Sequence, residues 1–206
     1  TYGKQDVDYV LTTTELITLI RKVGLDFANI EIEAADVPFG IGSGSGVLFG
    51  VTGGVTEAIL RRLQKGHARA DMMAIRDSGV RGEDGIKELT FTYQKRELKA
   101  AVVSGLSNAE KLIQRIESGE VHYDFVEVMA CRRGCIMGGG QPVTQDSSIR
   151  SARIQGIYNT DINTQIKKSS ENPLVMTAYE SVIRGKEHLL LHRNFDAAKK
   201  AAKQDS

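Results

Sequence analysis

With 206 residues, 41% hydrophobic and 26% charged, the chain has the composition of one ordinary globular domain or two small lobes and enough length to bury a core. A formal net charge of +1 and the absence of Trp argue against a nucleic-acid partner, which asks for a basic field and stacking aromatics. No apolar run reaches the roughly 18 residues of a membrane span. The opening residues Thr1-Tyr2-Gly3-Lys4 contain neither a Met nor a basic stretch leading into an apolar one, so a cut in a longer chain and a cytoplasmic location are expected, with no membrane partner.

Val7 to Leu11 reads as a short buried strand. Thr12 with Glu15 fits a capping box, and Leu16, Ile17, Leu19, Ile20 and Val23 follow at helical spacing to a stop at Gly24. Strand, capped turn and helix together predict the beginning of a parallel α/β unit. Asp36 to Gly46 is a Gly- and Ser-rich loop. Val55, Ala58, Ile59 and Leu63 predict a helix from about Gly53 to Gln64, with Arg61 and Arg62 on a solvated basic face. His67 to Ser78 has no single clear period. Ile86–Tyr93 alternates, Leu98–Val103 is apolar, and Gln94–Glu97 between them predicts a β-hairpin. A helix starts at Ser107-Asn108 and runs through Leu112, Ile113 and Ile116 to Gly119. Phe125–Met129 is a short apolar strand leading straight into two cysteines. Ser148 to Tyr158 and Pro173 to Arg184 are helix candidates, Pro173 at a helix start, and the polar tail from Ala197 is expected to fray. The fold class is α/β: a small, mainly parallel twisted sheet with flanking helices.

The 21 glycines cluster at Gly40–Gly54 and Gly134–Gly140, as where backbone lies against something. The two cysteines, Cys131 and Cys135, cannot form a disulfide framework. Spacing alone leaves two readings: a ligand pair on a tight loop, or two buried structural thiols. Their position after Phe125–Met129 favours the first, because α/β sheets place ligands at the carboxyl ends of strands. Other motifs are weak. Gly42-Ser43-Gly44-Ser45-Gly46 fails the dinucleotide spacing and has no strand before it to make a serine-nucleophile elbow. His67, His122, His188 and His192 are scattered and read as surface or core residues.

Met129-Ala130-Cys131, Gly134-Cys135 and Gly138-Gly139-Gly140-Gln141-Pro142 form a long and specific segment. It resembles the third cysteine motif of the [FeFe]-hydrogenases, MACPGGC followed by GGGQP. The family's other landmarks occur in its order: Asp8 to Thr13 with Glu15-Leu16, Ser45 to Val55 with Glu57-Ala58, Val80-Arg81-Gly82 with Gly85 to Glu88, Lys168 to Pro173 for its KSHENP, and Leu189 to His192 for its closing segment. The resemblance implies the C-terminal portion of the iron hydrogenase catalytic domain, one lobe of it, spanning 1–206, with the cysteine motif at 129–142 and a C-terminal helical segment at 147–195.

The same resemblance implies the cofactor, the H-cluster: a 4Fe-4S cluster joined by one cysteine to a two-iron subcluster with CO and CN⁻ ligands, reversibly reducing protons to dihydrogen. Cys131 would ligate the 4Fe-4S cluster and Cys135 would bridge the two units. Met129 would pack beside the iron pair, Phe49 and Gly50 would line the pocket at its distal iron, and Gly134, Gly138, Gly139 and Gln141 would surround the cofactor. Arg132 and Arg133 depart from the family's Pro-Gly, and Ser170 from its His. Two cations there would favour a reduced cluster, form a docking patch, or point to solvent.

The family's first two cysteine motifs, its lysine motif and its relay residues have no counterpart here. A 4Fe-4S cluster takes four thiolates and this chain has two. The piece alone is therefore expected to be inactive and to hold no complete cofactor. Its expected partners are the N-terminal half of the catalytic domain, cut away or on a separate chain, and a ferredoxin-type electron carrier. The alternative functions are an iron–sulfur assembly scaffold and a hydrogen-sensing regulator.

Overall fold

A single strand organises the sheet. In the computed structural model, which describes residues 7–31, 33, 42–64, 75, 79–82 and 85–192, β2 (Arg96–Ser104) buries its last five residues. Their side chains alternate between faces, as strand geometry requires. Ala100 and Val102 join Val80 and Leu89 in one apolar cluster. Ala101 and Val103 join Ala109 and Leu112 in another.

β1 (Ile86–Tyr93) pairs antiparallel with β2, from Ile86↔Val103 to Tyr93↔Arg96. The turn is only Gln94-Lys95, tighter than Gln94–Glu97. Both residues are left-handed (φ 49° and 65°), the twist a two-residue hairpin needs. β3 (Phe125–Met129) lies parallel to β2, from Ala100↔Phe125 to Ser104↔Met129. A parallel pair needs a crossover, supplied by α4 (Leu106–Glu117). The sheet of the described residues runs β1-β2-β3. It is α/β with flanking helices as expected, but mixed: one pairing is parallel and one antiparallel, because the hairpin itself supplies the first strand.

Val7–Leu11 is not a strand. These residues are exposed and irregular, and no strand of the sheet pairs with them. The helix after them, α1 (Thr13–Lys22), has the expected capping box. Glu15 Oε2 accepts from the Thr12 N–H at 2.7 Å, a bond that holds the Glu15 carboxyl below the usual carboxylate range. α1 buries none of its residues, and Leu16, Leu19 and Val23 stand exposed.

Further helices among the described residues include α2 (Gly44–Val47), a 3-10 turn (Leu48–Gly50), α3 (Gly54–Leu63), α5 (Ser147–Asn163), α6 (Pro173–Glu180) and α7 (Glu187–Leu191). α5 extends past Tyr158, and α6 stops short of Arg184. The stretch from His67 to Ser78, apart from buried Ile75, and the tail from Ala197 lie outside the described residues.

One expectation fails for a clear reason. Arg61 is 3% exposed, not solvated. Its guanidinium makes a two-pronged bond to Asp161 of α5 (2.7 and 2.8 Å) and a third bond to Glu57 one turn back (2.6 Å). Burial opposes its charge, but these carboxylates outweigh burial and raise its pKa. Glu57 and Arg61 sit four apart on the helix face turned to α5. Arg62, one residue on, is exposed.

Candidate metal centre

The chain leaves β3 at Met129, which is 9% exposed and whose carbonyl accepts from Gly105 N–H at 2.8 Å. The next residues turn back sharply. Arg133 is left-handed (φ 68°), and its backbone N–H bonds the buried Ser104 hydroxyl at 3.0 Å. Gly134 follows at φ 85°. A Cβ there would lie 2.7 Å from Gly50 O and 2.9 Å from Val51 Cα, so only glycine lets the cysteine loop meet the Gly50–Thr52 backbone. A 3-10 turn (Cys135–Met137) comes next. A Cβ on Gly138 would lie 3.1 Å from Cys131 Sγ; glycine keeps that side of the sulfur clear.

Cys131 and Cys135 thus share one loop at the end of β3, both free thiols and both exposed. The reading as buried structural thiols does not hold. The two glycine clusters meet here, Gly134 against Gly50–Thr52, with Gly50 also facing Ile136 and Ile157. Gly139 is exposed in open space. Gln141 reaches the other way, its Nε2 donating to Thr13 Oγ1 at 2.9 Å. Phe49 is 49% exposed and stands on the wall of a cleft of about 470 Å³ with Val55, Ile59, Val175 and Met176. The cysteines are not among the residues that line that cleft.

Ser43 and Ser45 do not form a nucleophile site: the Ser45 hydroxyl donates to Lys167 O (2.7 Å) and Ser43 shares a hydrogen bond with Ser169 (2.8 Å). His188 and His192 are exposed, their rings 4.7 Å apart. The two arginines of the motif diverge. Arg132 is exposed and lays its side chain over Gly105, whereas Arg133 lines a second cleft, about 300 Å³, with Thr52, Arg81 and Tyr158. The Arg81 guanidinium stacks 4.0 Å over the Tyr158 ring.

Three supporting groups escaped the sequence reading. Glu127, 4% exposed in the middle of β3, accepts from Gly53 N–H, Thr56 N–H and the Thr56 hydroxyl at 2.7 to 2.8 Å, closing the start of α3. Burial lowers the Lys87 pKa, and the nearby Glu127 charge partly opposes that shift. Glu57 binds both Arg61 and Arg81. Arg153 of α5 holds carbonyls on either side of the Gly138–Gly140 run. A charge inside an apolar strand was the available signal for Glu127; the pairings of Glu57 with Arg81 and of Arg153 with Ile136 and Pro142, 24, 17 and 11 residues apart, join different elements and leave no periodic signal.

Among the described residues no group of three or more His, Cys, Asp or Glu side chains could hold a metal ion. The cysteine pair is thus a partial ligand set. Two soft thiolates on a glycine-cleared loop fit one side of an iron–sulfur cluster, and not a complete cage.

This arrangement, two thiols at the carboxyl end of a parallel strand, is of the class found in iron–sulfur proteins, and comparison with known proteins identifies the family. Residues 1–139 match the family model described as iron only hydrogenase large subunit, C-terminal domain, and residues 147–197 match the one described as iron hydrogenase small subunit. The chain is 37% identical over 198 residues to NADP-reducing hydrogenase subunit HndD of Solidesulfovibrio fructosivorans, covering 94% of this chain and 34% of that protein. It is 36% identical over 199 residues to iron hydrogenase 1 of Clostridium pasteurianum, covering 92% and 35%. It is also 30% identical over 188 residues to Protein NAR1 of Arabidopsis thaliana, covering 87% and 39%. Among solved structures, a variant of [FeFe]-hydrogenase HydA1 from Chlamydomonas reinhardtii superposes with a TM-score of 0.65 at 34% identity, covering 91% of this chain and 55% of that one. The chain belongs to the iron-only hydrogenase large-subunit family, and it spans about a third of the length of the curated relatives it matches.

Proposed function

We propose that this chain supplies two of the four thiolates of the H-cluster of an [FeFe]-hydrogenase. The carrying observation is the pair Cys131 and Cys135, free and exposed on a loop whose glycines clear the approach to sulfur. When bound, the 4Fe-4S cluster passes electrons and the two-iron subcluster is where protons and dihydrogen interconvert. Cys131 would hold the 4Fe-4S cluster and Cys135 would hold it and bridge to the iron pair. Met129, buried at the root of the loop, would press its polarizable thioether toward the same place. Gly134, Gly138 and Gly139 would let backbone N–H groups approach the sulfurs and tune their potential. Phe49 and Gly50 would help close the pocket against water, and Gln141 would hold the loop against α1.

The rest of the catalytic domain, on this chain or another, would bring the other two thiolates and cover the exposed apolar side chains of α1. A ferredoxin-type carrier would deliver electrons, in the cytoplasm. No helix among the described residues is long and apolar enough to cross a membrane. A second reading, an iron–sulfur assembly scaffold, is favoured by the relatives named as cytosolic iron–sulfur assembly components, 28% identical over 221 residues in Rattus norvegicus.

The first test is reconstitution of this chain with iron and sulfide. Two thiolates cannot saturate a four-iron cluster, so iron per chain should stay well below four, with no stable visible absorption, until the remaining half of the domain is added. Stable stoichiometric four-iron loading of monomers would overturn the half-site reading. Hydrogen evolution by the completed protein separates hydrogenase from scaffold.

A further inference from the structure

The run Gly138-Gly139-Gly140 carries no side chain to fix it, and a Cβ on Gly139 would meet nothing within 4 Å. Glycine-rich backbone of this kind has the most freedom to lose on becoming ordered. Something outside the run must therefore set its course, and with it the bearing of Cys135.

Two ties exist. On one side, the Thr14 N–H and hydroxyl both donate to Gly140 O at 2.9 Å, but Thr14 belongs to α1, which buries none of its residues. On the other side stands Arg153, half-buried on α5. Its Nη1 donates to Ile136 O at 3.1 Å and lies 3.6 Å from Met137 Sδ, and its Nη2 donates to Pro142 O at 2.9 Å. One rigid, planar fork thus grips the backbone before and after the glycine run. Ile136 follows Cys135 directly and shares its 3-10 turn. α5 is itself a firm anchor, because Asp161 on the same helix is buried against Arg61.

We propose that Arg153 is a positioning residue for the metal centre: it clamps the two ends of the Gly138–Gly140 run and so fixes the direction in which Cys135 presents its sulfur. It acts across a segment boundary, because Arg153 is on 147–197 while Cys135 and Ile136 are on 1–139, with Pro142 between the two matched stretches. The stretch that resembles a small subunit is thereby part of the site's geometry rather than a cover for it. The consequence for the cofactor rests on the function proposed above; the consequence for the loop does not.

The experiment uses the full-length protein carrying Arg153→Leu or Arg153→Lys, before and after cluster loading. Before loading, hydrogen exchange is followed at the amides of Met137, Gly138 and Gln141, which close the local turns onto Gly134 O, Cys135 O and Gly138 O. Arg153→Leu should speed their exchange about tenfold or more, because both charge-assisted bonds vanish. Exchange in β2 and along α5 should stay unchanged, which separates loss of the clamp from misfolding. Arg153→Lys should fall between, since an ammonium cannot bridge two carbonyls as a guanidinium does. After loading, the cluster's electron spin resonance line shape and midpoint potential should differ between Arg153→Leu and the parent, with Lys intermediate.

Unchanged loop exchange in Arg153→Leu would overturn the clamp. So would a Lys variant equal to Leu in both measurements, or loosening that spreads through β2 and α5. A loop loosened by Arg153→Leu, together with a parent protein that never loads iron, would leave the clamp standing and sink the iron–sulfur reading instead.

Discussion

Cys131 and Cys135 differ in what surrounds them, and the difference sets what each replacement should do. Cys131 lies beside Gly138, while Cys135 opens the 3-10 turn that Arg153 holds. With Cys135 as the bridge, Cys135→Ser in the completed enzyme should abolish hydrogen turnover and uncouple the iron pair, because a harder oxygen is a poor ligand between soft iron centres. Met129→Leu keeps the volume of a buried side chain and removes only the sulfur, so it should be far milder, costing stability less than about 1.5 kcal/mol. A hydrogen-evolution assay with infrared detection of the CO and CN⁻ bands reads both. Near-parental activity in Cys135→Ser with loss in Met129→Leu would reverse the assignment. The frame of the two thiols was legible in the residues: a Cys-x3-Cys pair in a specific glycine run after a short strand. The clamp on that frame was not, because Arg153 reaches its carbonyls from a separate helix.

At the scale of elements, what sequence periodicity captures is the hydrogen bonding and apolar stripe of one segment at a time. The capping box of Thr12 and Glu15, the hairpin, and the strand Phe125–Met129 are all local, and all appear. Val7–Leu11 fails because an apolar stretch becomes a strand only where an edge receives it. Arg61 fails because an amphipathic reading assigns charges to water, whereas a carboxylate a hundred residues away supplies the partner. Glu127 joins these elements. It hands three hydrogen bonds from β3 to the first turn of α3, where backbone donors have no helical partner and a negative charge is favoured. Glu127→Ala would strand Gly53 N–H and Thr56 N–H in the interior, each worth about 1–3 kcal/mol when unsatisfied. The expected loss is ~3–5 kcal/mol in denaturant unfolding. Glu127→Gln keeps an acceptor and should cost clearly less. Equal losses for the two would mean that β3, not the start of α3, depends on this side chain.

For the molecule as a whole, the question is what holds residues 147–192 to the rest, since the sheet does not include them. Much of the answer is electrostatic. Arg61 and half-buried Arg81 meet buried Glu57 and Asp161 in a set of two cations and two anions. Asp161 sits so close to Gly44 that a Cβ there would fall 2.1 Å from Asp161 Oδ1, and Gly44 N–H bonds Ile166 O at 2.8 Å. Desolvating these charges is costly, so such a set is weak evidence of net stability, but removing Asp161 leaves two cations sharing the single carboxylate of Glu57, an uncompensated charge in the interior. Asp161→Ala should therefore cost ~3–5 kcal/mol in denaturant unfolding and make 147–192 the first part released by brief trypsin digestion. The balanced change is the sharper test. Arg61→Met with Asp161→Leu removes one cation and one anion together and fills the space with apolar groups, which is often neutral or better. Glu57 keeps Arg81 as its partner in that protein. If the double variant recovers most of the loss, the ion set works as a matched lock that chooses how the C-terminal segment sits. If it is as unstable as Asp161→Ala, the individual hydrogen bonds carry the attachment, and the clamp of Arg153 on the cysteine loop depends on each of them.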